Sequence, residues 1–110
     1  MKETIAYGDF EKLEIRIGKV LSAERVPEAD KLLKLVFDLG TEQRQVMAGI
    51  AKVIDNPAEL VGREMPLVVN LEPRKLRGYE SQGMILAADD GGSPVLLHPA
   101  KDVPSGSIVK

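Results

Sequence analysis

Hydrophobic residues recur at every second position along much of the chain. In the stretch KLEIRIGKV, Leu13, Ile15 and Ile17 share one face while Glu14 and Arg16 occupy the other. That is the pattern of a strand with one buried side. Gly18 interrupts it, as glycine does at a bulge or barrel corner, and the pattern resumes through Val20 to Val26 before Pro27. Leu33, Leu35, Phe37 and Leu39 then alternate with Lys34, Val36 and Asp38, and Gly40 closes this second run. Arg44 to Ile50 reads as a third strand, joined to the second by a loop short enough for a hairpin.

Asn56-Pro57 changes the rhythm. Asn56 suits an N-cap, Pro57 the first helical position, and Glu59 complements the positive end of the helix dipole. Gly62 ends the segment after a turn or two. MPLVVNL predicts a fourth strand and GMILAADDGG a fifth, with Asp89 to Ser93 as its turn. The proline-containing tail carries two short apolar runs, Val95 to Leu97 and Ile108-Val109, which suit one or two edge strands. The sum is an all-β domain covering residues 1–110. Its best match is the five-stranded Greek-key OB-fold barrel, with a short helix between strands three and four and C-terminal extension strands. An SH3-like barrel is the competing architecture.

Composition narrows the chemistry. The 110 residues suit one domain, and 44% hydrophobic with 4% aromatic residues demands an aliphatic core. With no cysteine, disulfides and thiolate metal sites are excluded. The lone His98 reads as a neutral surface histidine. No Ser-His-Asp constellation, phosphate-binding glycine loop or metal-spaced cluster is present, so the expectation is a non-enzyme without cofactor or metal. No segment approaches the roughly 20 apolar residues of a membrane span. A soluble cytoplasmic protein without a membrane partner is expected.

The formal net charge is -2, yet Arg74, Lys75 and Arg77 cluster within NLEPRKLRGYESQGM. Screening beyond about 8 Å makes such local placement matter more than the total. After Pro73 the basic residues suit a loop between strands four and five, one of the two loops that flank the oligonucleotide face of OB-folds. Cations there would contact phosphates, or would simply keep a loop solvated. Ser81 offers a hydroxyl to a ribose or phosphate and Met84 a soft apolar surface to a base. The same residues also suit a turn and a core position, and both readings stand. Lys31 and Lys34 bracket the start of the second strand near the other flanking loop, and Arg44 is placed to join them. The four aromatic residues are too few for the stacked platforms of sequence-tolerant single-strand binders. Backbone and shape recognition of structured RNA is the better expectation.

Taken together, DFEKLEIRIGKV, PEADKLLKL, RQVMAGI and ELVGREMPLVVNLEPRKLRGYESQGMIL resemble the EMAP II type of tRNA-binding domain. That family includes free-standing structure-specific tRNA-binding proteins, the C-terminal domain or β subunit of methionyl-tRNA synthetases (the branch this chain resembles most) and the chaperone CsaA. The resemblance implies an OB-fold that binds tRNA without reading its sequence and aids its capture by the synthetase. It also implies a homodimer built largely from the C-terminal segment. Asn70, Arg74, Lys75, Ser81 and Met84 match the family's binding motif; Lys31, Lys34 and Arg77 are added on charge. The alternatives are a CsaA-like chaperone binding unfolded peptide, a free-standing tRNA-binding protein, or a purely structural dimerisation domain.

Overall fold

Ten strands, one short helix and two 3-10 turns make up the ordered elements of the computed structural model, which describes residues 1–110. The helix α1 covers Tyr7–Glu11. Strands β1 (Ile15–Val26), β2 (Ala29–Asp38) and β3 (Gln43–Ala48) follow. Two 3-10 turns, Ala51–Val53 and Pro57–Leu60, lead to β4 (Glu64–Val68). Then come β5 (Arg74–Leu76), β6 (Tyr79–Ser81), β7 (Met84–Ile85), β8 (Ala87–Asp90), β9 (Ser93–Leu96) and β10 (Ile108–Val109).

The main sheet runs β3-β2-β1-β4-β7, with β10 paired to the start of β1, and every pairing is antiparallel. The all-β architecture is as the alternation predicts. The second strand is the clearest case: Leu33, Leu35 and Phe37 are each fully buried, and Leu39 is buried beside them. With Val20, Val46, Met65 and Leu67 they form an aliphatic core around one phenylalanine.

No strand ladder closes β3 onto β7. The gap is spanned by individual bonds instead. Gln82 donates its backbone N–H to the Gln45 carbonyl at 2.8 Å, and the Gln45 N–H reaches Gln82 Oε1 at 3.2 Å. Arg44 donates to the carbonyls of Val69 and Gln82 and pairs with Glu42. This side chain, expected beside the basic residues of the site, is a stitch between strands.

Gly18 does not break β1, which runs unbroken for 12 residues. A Cβ at Gly18 would sit 2.9 Å from both Leu67 Cδ1 and Phe37 Cδ1. The glycine lets two core side chains close over the strand. The irregularities lie further on, where the β1–β2 register shifts between Val20 and Ser22 and between Arg25 and Val26. The expected helix is the 3-10 turn at Pro57, where Asn56 Oδ1 accepts the Ala58 N–H at 3.2 Å.

The predicted fifth strand is divided into β7 and β8, and β8 pairs with β9 in a separate hairpin. The tail returns across β1. Ile17 donates its N–H to the Ser107 carbonyl at 2.8 Å, and Gly106 donates to the Ile17 carbonyl at 2.7 Å. Buried Glu64 accepts the Val103 N–H at 2.9 Å, and exposed His98 places Nδ1 2.9 Å from the Glu64 carbonyl.

Candidate nucleic-acid interface

The basic stretch expected as a loop is a hairpin. β5 and β6 pair through Arg74↔Ser81, Lys75↔Glu80 and Leu76↔Tyr79, leaving Arg77-Gly78 as a two-residue turn. Both turn residues have positive φ, 52° and 84°, the combination of a type I′ turn, whose twist matches that of paired strands. Pro73 sits just outside the ladder and costs it no donor.

Alternation along β5 sends neighbouring side chains to opposite faces. Lys75 and Arg77 line a cavity of about 500 Å³ with Lys31, Lys52 and the carboxyl residues Glu28 and Asp30. Arg74 lines a second cavity of about 360 Å³, with Met84, Ser81, Met47 and Leu71. Leu32 and Leu76 belong to both and form the ridge between them. One side of the ridge is cationic and the other largely apolar.

The predicted residues divide among these surroundings. Lys31, Lys75 and Arg77 meet in the cationic cavity, and Arg74, Ser81 and Met84 in the apolar one. Met84 is 47% exposed at its edge. Lys34 stands beside them, half-buried. Its ammonium lies 3.7 Å from Glu24 and 5.5 Å above the Tyr79 ring, which ties the middle of β2 to the hairpin by a cation–π contact.

Asn70 lies apart. Its side chain accepts the Glu14 N–H at 2.8 Å and donates to the Lys12 carbonyl at 2.7 Å. The cavity it lines is shared with Tyr7, Phe10 and Ile108. It fastens the segment ahead of β1 to the end of β4.

Ser81 is buried. Its hydroxyl accepts the Met47 N–H at 3.0 Å and donates to the Gly83 carbonyl at 3.1 Å. One lone pair is left for anything else. Ser81→Ala is therefore expected to leave the buried Met47 N–H unpaired and cost about 1–3 kcal/mol. A lowered urea midpoint with an unchanged slope would register this loss, and an unchanged midpoint would refute the hydroxyl's bracing role.

Lys52 is the cation that sequence reasoning missed. It sits in an apolar neighbourhood of the chain, AGIAKVID, with no basic companion. Only the folding of the 3-10 turn at Ala51–Val53 toward the hairpin brings it into the cavity. Arg25 pins that segment through the carbonyls of Ala51, Ile54 and Asp55, at 3.2, 2.7 and 3.3 Å.

By fold and surface, then, the chain is a β-sheet domain with a cationic cleft beside an apolar one. Residues 15–108 match the family model described as "Putative tRNA binding domain". The chain is 53% identical over 109 residues to a methionine–tRNA ligase of Methanothrix thermoacetophila, and 50% identical over 111 residues to that of Chloroherpeton thalassium. These alignments take in 99% and 100% of the chain but only 16% of either ligase, so the similarity lies in a small part of a much longer protein. Among solved structures, a MetRS-related protein from Pyrococcus horikoshii superposes with a TM-score of 0.93 at 38% identity, covering 99% of this chain and all of that one. The chaperone CsaA from Bacillus anthracis superposes with a TM-score of 0.88 at 32% identity, covering 98% of this chain and all of that one. The chain belongs to the tRNA-binding domain family. No helix is long and apolar enough to cross a membrane.

Proposed function

We propose that this domain is a non-catalytic module that binds tRNA by shape and backbone charge and aids its capture by methionyl-tRNA synthetase in the cytoplasm. The observation that carries this reading is the gathering of Lys31, Lys52, Lys75 and Arg77 around one cavity of a chain whose net charge is -2. Membership of the tRNA-binding domain family adds to it. The proposed RNA contacts are Lys31, Lys34, Arg74, Lys75, Arg77 and Met84. Ser81 and Asn70 act in this reading chiefly by holding β3, β6 and the entry to β1 in place.

Homodimerisation is the second part of the proposal. Ile108 is 60% exposed and Leu97 42% exposed. Both line a groove with Ile17, Pro66, Val103 and Val109 along the returning tail. A second copy covering this groove would bury apolar surface that is now in water.

The test is titration with tRNA at two salt concentrations, against single-stranded RNA of the same length as competitor. Salt-sensitive binding that prefers folded tRNA is the expected result. The likeness to CsaA and the apolar cavity favour one rival, a peptide-binding chaperone. Binding of unfolded peptide that persists in salt, without tRNA binding, would put that reading first.

A further inference from the structure

Two non-glycine residues in the chain have a left-handed backbone, Glu28 at φ 62° and Arg77 at φ 52°. Each sits in a two-residue turn, Pro27-Glu28 between β1 and β2 and Arg77-Gly78 between β5 and β6. Glycine or asparagine is the usual occupant of such positions, because Cβ crowds the backbone there. The two tips are far apart in sequence and opposite in charge, yet both line the same cavity of about 500 Å³. Strain of this kind collects where a ligand is gripped.

The charges in that cavity are held apart. None of Lys31, Lys52, Lys75 and Arg77 forms an ion pair, and neither does Glu28 or Asp30; none of these side chains has a hydrogen-bond partner within the chain. Lys75 stands directly across the ladder from Glu80 and still makes no ion pair with it. Lys52 is kept on station by the three carbonyl bonds from Arg25. Cations alone would suit any polyanion. A carboxylate facing the same space repels phosphate, so its presence calls for a ligand that carries a hydroxyl donor next to its phosphate. A ribose-phosphate unit has both, and its 2′-hydroxyl is what separates RNA from DNA. The volume falls within the range of small-ligand pockets.

We propose that the cavity between the β1–β2 and β5–β6 tips is a ribose-phosphate pocket, in which Lys31, Lys52, Lys75 and Arg77 hold the RNA backbone and Glu28 accepts a ribose 2′-hydroxyl. The proposal rests on the tRNA-binding reading and gives it a discriminating element: the domain reads the sugar while ignoring the base.

The experiment compares binding of a tRNA transcript and its all-2′-deoxy analogue by the wild-type chain, Lys52→Ala, Glu28→Gly and Arg77→Gly, with Arg63→Ala as a cation outside the cavity. Lys52→Ala should bind both ligands about tenfold more weakly, the scale of one charge-assisted bond. Its salt slope should fall by roughly 0.7–0.9. Glu28→Gly should lower the preference for RNA over the deoxy analogue about fivefold, in proportion to a lost hydrogen bond. It should also raise the melting midpoint by roughly 4 °C as left-handed strain is relieved. Arg77→Gly should likewise melt higher and bind more weakly. A purely structural residue would move stability and binding in the same direction.

Wild-type binding by both Lys52→Ala and Arg77→Gly, while Arg74→Ala, on the other side of the ridge, loses affinity, would overturn the pocket and leave the tRNA-binding reading standing. An unchanged RNA-to-deoxy ratio in Glu28→Gly would overturn the role given to its carboxylate. If the wild-type chain bound neither ligand, both readings would fall together.

Discussion

Gly106→Ala is expected to cost at least about 3 kcal/mol, from left-handed strain of roughly 1–2 kcal/mol and loss of backbone bonds at about 1 kcal/mol each. Gly106 has φ 89°, and a Cβ placed there would lie 2.1 Å from the Leu39 carbonyl oxygen, with the backbone unable to yield as a flexible side chain can. Moving the loop away breaks its ties to β1. These are the Gly106 N–H to the Ile17 carbonyl at 2.7 Å, the Ile17 N–H to the Ser107 carbonyl at 2.8 Å, and Arg16 Nη1 to the Gly106 carbonyl at 2.8 Å. Domains of this size are stable by only about 5–15 kcal/mol, so the loss is a large fraction of the whole. Gly62 supplies a matched control, since its φ is 90° but nothing lies within 4 Å of the corresponding Cβ. Gly62→Ala should cost only the conformational part, about 1–2 kcal/mol. Urea unfolding of the two variants separates strain from collision. Equal losses would show that the tail does not press on Leu39 as described.

The double substitution Arg74→Ala with Lys75→Ala should weaken tRNA binding roughly a hundredfold, at about tenfold for each charged contact. The slope of log affinity against log salt should flatten by about 1.4–1.8, which is two contacts at about 0.7–0.9 each. The two side chains leave β5 on opposite faces, one to each cavity, so the pair removes a cation from both sides of the Leu32–Leu76 ridge. Both are exposed and neither takes part in an ion pair. Stability should therefore change by no more than about 0.5 kcal/mol. A folded double variant with wild-type affinity and slope would remove both residues from the interface.

The strands that frame the core were legible because their alternation is strict and one face is fully buried. Leu33, Leu35 and Phe37 leave no other register for β2. Gly18 misled because its value is a close approach to Leu67 and Phe37, a three-dimensional fact with no local signature. The β5–β6 hairpin looked like a loop for two reasons. Pro73 precedes it, and Arg77 occupies a turn position that usually announces itself with asparagine or glycine. α1 has no buried residue and hence no amphipathic pattern to find.

The site divides in the same way. Charge density pointed to residues 74, 75 and 77, which are neighbours in sequence. Lys52 and Glu28 enter the cavity only through the way β1, β2 and the 3-10 turn come together. The resemblance picked out Asn70 and Ser81 as site residues. The structure gives both of them internal hydrogen bonds that periodicity has no means of anticipating.

β10 lies against the first residues of β1, and Ile108 to Lys110 share a cavity with Tyr7 to Arg16. The helix ahead of β1 and the strand β10 thus lie side by side, and that cavity shares no residue with the two at the cationic face. Such a layout keeps the packing of helix α1 and strand β10 on a surface of their own, so a change at either element can be absorbed there while the cationic cleft keeps its shape.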